Sequence, residues 1–168
     1  MSPEHDDALC SAYPLIFKKR NDKRRTTPMS GGFECGDGWY HIIDALCCAL
    51  YAPYSLAQQS YEGRLKAEGK AEYVGGRVVT AEDVEKARLA MVAAGKAVPV
   101  ATQVKEKFGT LRFYLRNASE EQFHYVHMAE VMSSRVCEIC GAPGTRRDTG
   151  WMRTLCDLHE AEQLARAQ

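Results

Sequence analysis

Cys137-Glu-Ile-Cys140 and, after fifteen intervening residues, Cys156-Asp-Leu-His159 decide how the C-terminal part of this chain folds. Two ligand-type side chains separated by two residues can turn toward one ion, and two such pairs make the spacing of a four-ligand metal site. Three thiolates and one imidazole suit a closed tetrahedral Zn²⁺, so Cys137, Cys140, Cys156 and His159 are the expected ligands and zinc the expected cofactor. Gly141 allows a sharp turn after the first pair. Residues 145–148 and 151–155 read as two short strands around Thr149-Gly150. From Asp157 a helix is expected, with Leu158, Ala161, Leu164 and Ala165 on one face and acids in its first turn.

Working outward, 168 residues suggest one domain with a small appendage. The 22 Lys and Arg balance the 22 Asp and Glu, so no global field draws the chain to nucleic acid or an acidic membrane, and local patches must supply any such attraction. Membrane insertion is not expected, because no apolar run approaches the length of a span and the first residues lack a charged-then-apolar leader. Three of the seven cysteines belong to the metal site. The other four, Cys10, Cys35, Cys47 and Cys48, show no disulfide framework. Reduced thiols and the cytoplasm are the expectation.

Residues 1–32 read as a basic N-terminal arm, in which Tyr13-Pro-Leu-Ile-Phe17 offers an anchor, residues 18–25 are charge-rich and residues 28–32 form turns. An α+β core over residues 33–136 follows. Asp37 is the expected N-cap of a helix that puts Trp39, Ile42, Ile43, Leu46 and Leu50 on one face and stops at Pro53. A second, more polar helix over residues 55–70 and a tiny hairpin around Gly75-Gly76 come next. Thr80 opens another helix, with Gly95 as its C-cap, and residues 55–96 together read as a helical insertion. Then the period switches to two. Val98, Val100, Thr102 and Val104 form one face, matched by Leu111, Phe113 and Leu115 after a turn at Phe108-Gly109. Ser119-Glu-Glu-Gln122 is a capping box, and the helix after it places Tyr125, Met128, Ala129, Met132 and Val136 in a stripe expected to cover the hairpin. That helix delivers the chain into a zinc finger over residues 137–168.

The solvent side of the hairpin presents Lys105, Lys107, Arg112, Tyr114 and Arg116, cations around an aromatic that suit phosphates and a stacked base. Arg146, Arg147 and Arg153 decorate the second hairpin. These eight residues are the candidate partner-binding surface. His124, His127 and Glu130 share one side of a helix but lack a fourth donor, so they read as surface residues, and Cys47 reads as an inert core thiol. Cys35-Gly-Asp-Gly-Trp39 reads as a tight bend leading to a helix with a Trp anchor. Residues 141–155 hold no His, and Asp148 is their lone carboxylate. The His base of a nuclease is therefore missing from this segment, the four ligands leave no open metal position, and no catalytic residues are assigned.

The order of knuckle, hairpin and ligand-bearing helix resembles a treble-clef zinc finger. Phe33-Glu-Cys-Gly-Asp-Gly-Trp39, Val104-Lys-Glu-Lys-Phe-Gly-Thr-Leu-Arg-Phe-Tyr114 and the module ending Gly150-Trp-Met-Arg-Thr-Leu-Cys156 together resemble a family of small uncharacterised phage and prophage proteins. What the resemblance implies is a setting in an infected or lysogenic bacterium, where small non-enzymatic proteins engage a host protein or nucleoprotein complex, for instance to inhibit a defence system. A nucleic-acid-binding regulator using the basic hairpin faces is the alternative, and a metal-dependent nuclease comes third.

Overall fold

Strand-forming and helix-forming segments segregate along the chain, and the resulting fold is α+β: five helices and two small antiparallel sheets among the described residues. The computed structural model describes residues 1–23, 25–70 and 78–166. These helices are α1 (Pro3–Ala12), α2 (Tyr40–Ala67), α3 (Ala81–Ala97), α4 (Glu120–Ser133) and α5 (Asp157–Arg166). The first sheet pairs β1 (Val100–Lys107) with β2 (Thr110–Arg116), and the second pairs β3 (Thr145–Thr149) with β4 (Trp151–Leu155). No helix among the described residues is long and apolar enough to cross a membrane.

The chain divides into two compact units, one made of Met1–Leu50 with Pro99–Gln168 and the other of Tyr51–Val98. In the first, Trp39, Ile43, Val104 and Leu111 are fully buried, as their periodicity requires. Residues 1–32 are not an arm. Ser2 caps α1, Leu9 and Ile16 are fully buried, and the Phe17 ring lies edge-on to Phe33 at 5.0 Å. The charges read there as a basic cluster are partly used inside the fold: Arg20 reaches the buried Asp6 at 2.9 Å, and Lys19 reaches Asp22 at 3.0 Å. A segment with its own apolar residues and a place for its charge packs on the core.

Three further expectations change. Asp37 does not cap α2; it sits in a short 3-10 turn, where its carboxylate accepts the Ser2 N–H at 2.6 Å and pairs with His5 at 3.1 Å. Pro53 does not end α2, which continues to Ala67. Proline removes one helical N–H, but strong helix formers such as Leu56, Ala57, Gln58 and Arg64 carry the ladder onward. The strand face is shifted by a bulge at Thr102, which leaves Ala101 opposite Leu115 and Gln103 opposite Tyr114. Ala101 rather than Thr102 is consequently buried with Val104 and Phe113.

In the second unit Thr80 and Asp83 close the expected capping box at the start of α3, whereas Gly95 lies inside the helix and Val98 is the cap. Val79, Val84 and Ala87 are buried. The hairpin around Gly75-Gly76 falls mainly outside the described residues; of its flanks, Val79 pairs with Glu68.

On α4 the capping box of Ser119 and Gln122 forms as read, but the buried face is Val126, Ala129 and Ser133. Tyr125, Met128 and Met132 are exposed and line an apolar groove with Ile42, Leu46 and Ala49 of α2. Polar groups decide this rotation. The fully buried Ser133 hydroxyl accepts the Leu111 N–H at 2.8 Å and donates to the Glu130 carbonyl at 2.6 Å, while the Glu130 carboxylate accepts the Phe113 N–H at 3.2 Å. Unpaired N–H groups on β2 would cost more than leaving two methionines exposed.

Candidate metal centre

The Cys137 knuckle forms because its backbone closes on itself: the Cys137 N–H donates to the Ala142 carbonyl at 2.7 Å, and the Gly141 N–H donates to the Cys137 carbonyl at 2.9 Å. Gly141 has φ +77°, a conformation in which a side chain is strained. Gly150, at φ +90°, turns β3 into β4, and β4 ends beside Cys156. His159 follows in the first turn of α5.

These elements bring the four ligand atoms within 4.8 Å of one another, the only such cluster among the described residues and close enough to hold a metal ion. Cys140 Sγ lies 3.8 Å from Cys156 Sγ, and His159 Nδ1 lies 3.2 Å from Cys156 Sγ and 3.5 Å from Cys137 Sγ. Burial raises the Cys137 thiol, but backbone N–H groups at Cys156, Cys140 and Ile139 outweigh it and bring the thiol down to about 6. The lowering favours the thiolate at Cys137, the form a metal binds. Burial holds Cys35 and Cys47 above the usual thiol range, Cys35 at about 12. Neither is a ready nucleophile.

The loop read as a helix approach proves to be the socket of this centre. A Cβ on Gly38 would overlap the Cys137 carbonyl oxygen and lie 2.5 Å from Gly141 N, and one on Gly36 would overlap the Glu138 carbonyl. The Gly38 N–H donates to that carbonyl at 2.8 Å, and the fully buried Trp39 indole donates to the Val136 carbonyl at 2.9 Å. Residues 137–168 are thus not a separate finger: the knuckle is built into the same core as the first hairpin. Sequence reading noticed both glycines but had no means of pairing them with a knuckle a hundred residues away.

Glu138 links three elements. It is only 5% exposed; one carboxylate oxygen accepts the Gly36 N–H at 3.0 Å and the other takes the Arg153 guanidinium at 3.0 and 3.1 Å. Glu138→Ala strands the Gly36 donor and the half-buried Arg153 together. Its urea midpoint is expected to fall by the equivalent of about 2 kcal/mol, and a midpoint equal to wild type would show the linkage to be idle.

The eight candidate partner-binding residues divide into two groups. Arg153 is held by Glu138, Arg147 pairs with Asp157 and, at 2.7 Å, with Glu160, and Arg112 lies 3.7 Å from Glu130. These three brace the fold. Lys107, Tyr114, Arg116 and Arg146 are exposed, and Lys105 is half-buried beside Tyr114. His124 and His127 are exposed on α4 without forming a ligand cluster with Glu130. On α5, Leu158 and Leu164 of the apolar face are exposed. Comparison with protein-family models, with curated proteins and with solved structures finds no match for this chain.

Proposed function

We propose that the chain is a zinc-stabilised, non-enzymatic binding protein of phage or prophage type that engages a host protein or nucleoprotein complex, inhibition of a bacterial defence system being one concrete form. The observation that carries the non-enzymatic reading is the donor set itself. Zinc at about 2.3 Å from sulfur and about 2.0 Å from nitrogen spreads tetrahedral donors roughly 3.5 to 3.8 Å apart. The separations of 3.5 Å between Cys137 and His159 and 3.8 Å between Cys140 and Cys156 match that size, and the 3.2 Å between Cys156 and His159 is shorter. Three thiolates favour zinc over harder cations, and four protein ligands complete its shell. Such a metal holds structure instead of activating water. The sequence of knuckle, β3–β4 hairpin and His159 on α5 supports a treble-clef-like finger. Around it, exposed Phe108 and Trp151 and the lysines of β1 supply a surface for contact in place of a catalytic constellation.

Elemental analysis of the purified protein is expected to find about one equivalent of zinc, and affinity capture from bacterial lysate, with and without nuclease treatment, to retain a partner. A well-folded metal-free protein would overturn the zinc reading. Capture of nothing under either condition would overturn the binding reading.

A further inference from the structure

The register of the first hairpin sorts its side chains by face. Val104, Leu111 and Phe113 are buried on one side, and Lys105 stands opposite Arg112, with Gln103 opposite Tyr114, on the other. Arg116 and Lys107 extend that outer face at its two ends. Tyr114 is 41% exposed, and the Lys105 ammonium sits 5.9 Å from its ring centroid. Phe108 occupies the tip of the turn at φ +56° with Gly109 at +78°; it is 56% exposed, and the Lys107 ammonium lies 5.3 Å from its ring. An exposed phenylalanine in a strained left-handed position is not there for packing.

The second hairpin places a third ring alongside. The buried Thr154 hydroxyl donates to the Gly109 carbonyl at 2.6 Å, and Gly109 lies so close to the Arg153 backbone that a Cβ there would sit 3.3 Å from its carbonyl carbon. This contact fixes the tip of the first hairpin against β4 of the second. Between them is an open cleft of about 500 Å³ lined by Lys105, Lys107, Phe108 and Trp151, with Met152 at its wall. Trp151 is 68% exposed. Two acids also line it. Glu106 is occupied by the Gly109 N–H at 2.6 Å, and Asp148 is exposed.

We propose that this outer face and cleft bind single-stranded nucleic acid, with Tyr114, Phe108 and Trp151 as stacking platforms for successive bases and Lys105, Lys107 and Arg116 on the phosphates. The inference rests on the binding-protein reading above and names its partner. Lysines alternating with exposed rings match a chain of phosphates and unstacked bases. Duplex bases are already stacked on one another and out of reach of such rings, and the alternation of exposed rings with cations along one strand favours a single strand of nucleic acid over a folded protein surface. The balanced net charge limits the electrostatic contribution, so stacking must supply a large part of the affinity.

The two tryptophans make the test direct, because Trp39 is fully buried and Trp151 is exposed. The metal-loaded full chain is titrated with oligo(dT) and oligo(U) of about 15 nucleotides and with a duplex of equal length, at several salt concentrations. Single strands are expected to quench the fluorescence. Trp151→Phe should abolish the quench, and Tyr114→Ala or Trp151→Ala should weaken binding roughly 5- to 150-fold. Lys105→Gln and Lys107→Gln should each reduce the log–log salt slope by about 0.7. A preference between the two oligomers tells DNA from RNA as the natural ligand. The proposal is overturned by absence of single-strand binding at low salt, by duplex binding at least as tight, or by Tyr114→Ala and Trp151→Ala variants of wild-type metal content that bind unchanged. Absence of oligonucleotide binding alongside a protein captured from nuclease-treated lysate would overturn this inference and leave the binding reading standing; failure of both would remove both.

Discussion

Removal of the proposed zinc, by chelation or by Cys156→Ala, is expected to unfold far more than residues 137–168. Structural zinc in small modules binds with apparent free energies of about 10 to 16 kcal/mol near neutral pH, and that energy is folding energy where the site does not exist in the unfolded chain. Without it, three cysteine sulfurs and an imidazole crowd within 4.8 Å with only weak hydrogen bonds among them. The knuckle is also the far wall of the pocket that receives Trp39, whose indole donates to the Val136 carbonyl. It further supplies the Glu138 carbonyl that accepts the Gly38 N–H. On the second hairpin, Thr154 holds the Gly109 turn. The expected result is therefore loss of hydrogen-exchange protection at Gly36, Gly38 and the Trp39 indole, and around the turn at Gly109, together with residues 137–166. A loss confined to residues 137–166 would show that the metal serves only its own module, as the linear reading of a separate finger implied.

Gly38→Ala is expected to have the next largest effect, and it acts on the same contact from the other side. The added methyl would overlap the Cys137 carbonyl oxygen and crowd Gly141 N, both of them backbone and both held by the knuckle's own hydrogen bonds. Nothing flexible can swing aside, so either the knuckle or the start of α2 must move. Overpacking of this kind costs about 3 kcal/mol or more. Thermal unfolding of the metal-loaded variant should shift down clearly, and its affinity for zinc, measured by competition with a chelator, should fall with it. Gly63→Ala is the matched control. That glycine lies within α2 with no atom near enough to meet a new Cβ, so the change should be neutral or slightly stabilising. Equal stability of Gly38→Ala and Gly63→Ala would show that the close approach at Gly38 does not constrain the fold.

The sequence alone determined whatever depends on neighbours along the chain. Ligand spacing found Cys137, Cys140, Cys156 and His159, which the fold gathers into one cluster. Period-two patterning found the first hairpin, two short strands around Thr149-Gly150 marked the second, and capping residues found the starts of α3 and α4, because strand alternation, turns and N-caps are satisfied within a few residues. Only the tertiary structure decided matters that turn on partners distant in sequence. The bulge at Thr102 moved Ala101 to the buried side, α4 turned to satisfy the N–H groups of β2, and Arg112, Arg147 and Arg153 proved to be occupied by acids of the same chain. The role of Gly36 and Gly38 belongs to the same class. A glycine required by close backbone approach leaves no pattern around itself, since the atom that forbids a side chain there comes from Cys137 or Glu138, brought alongside by folding. For the same reason Tyr114 alone of the three exposed rings was read as a contact residue, and only the packing of Gly109 against Arg153 set Phe108 and Trp151 on one cleft.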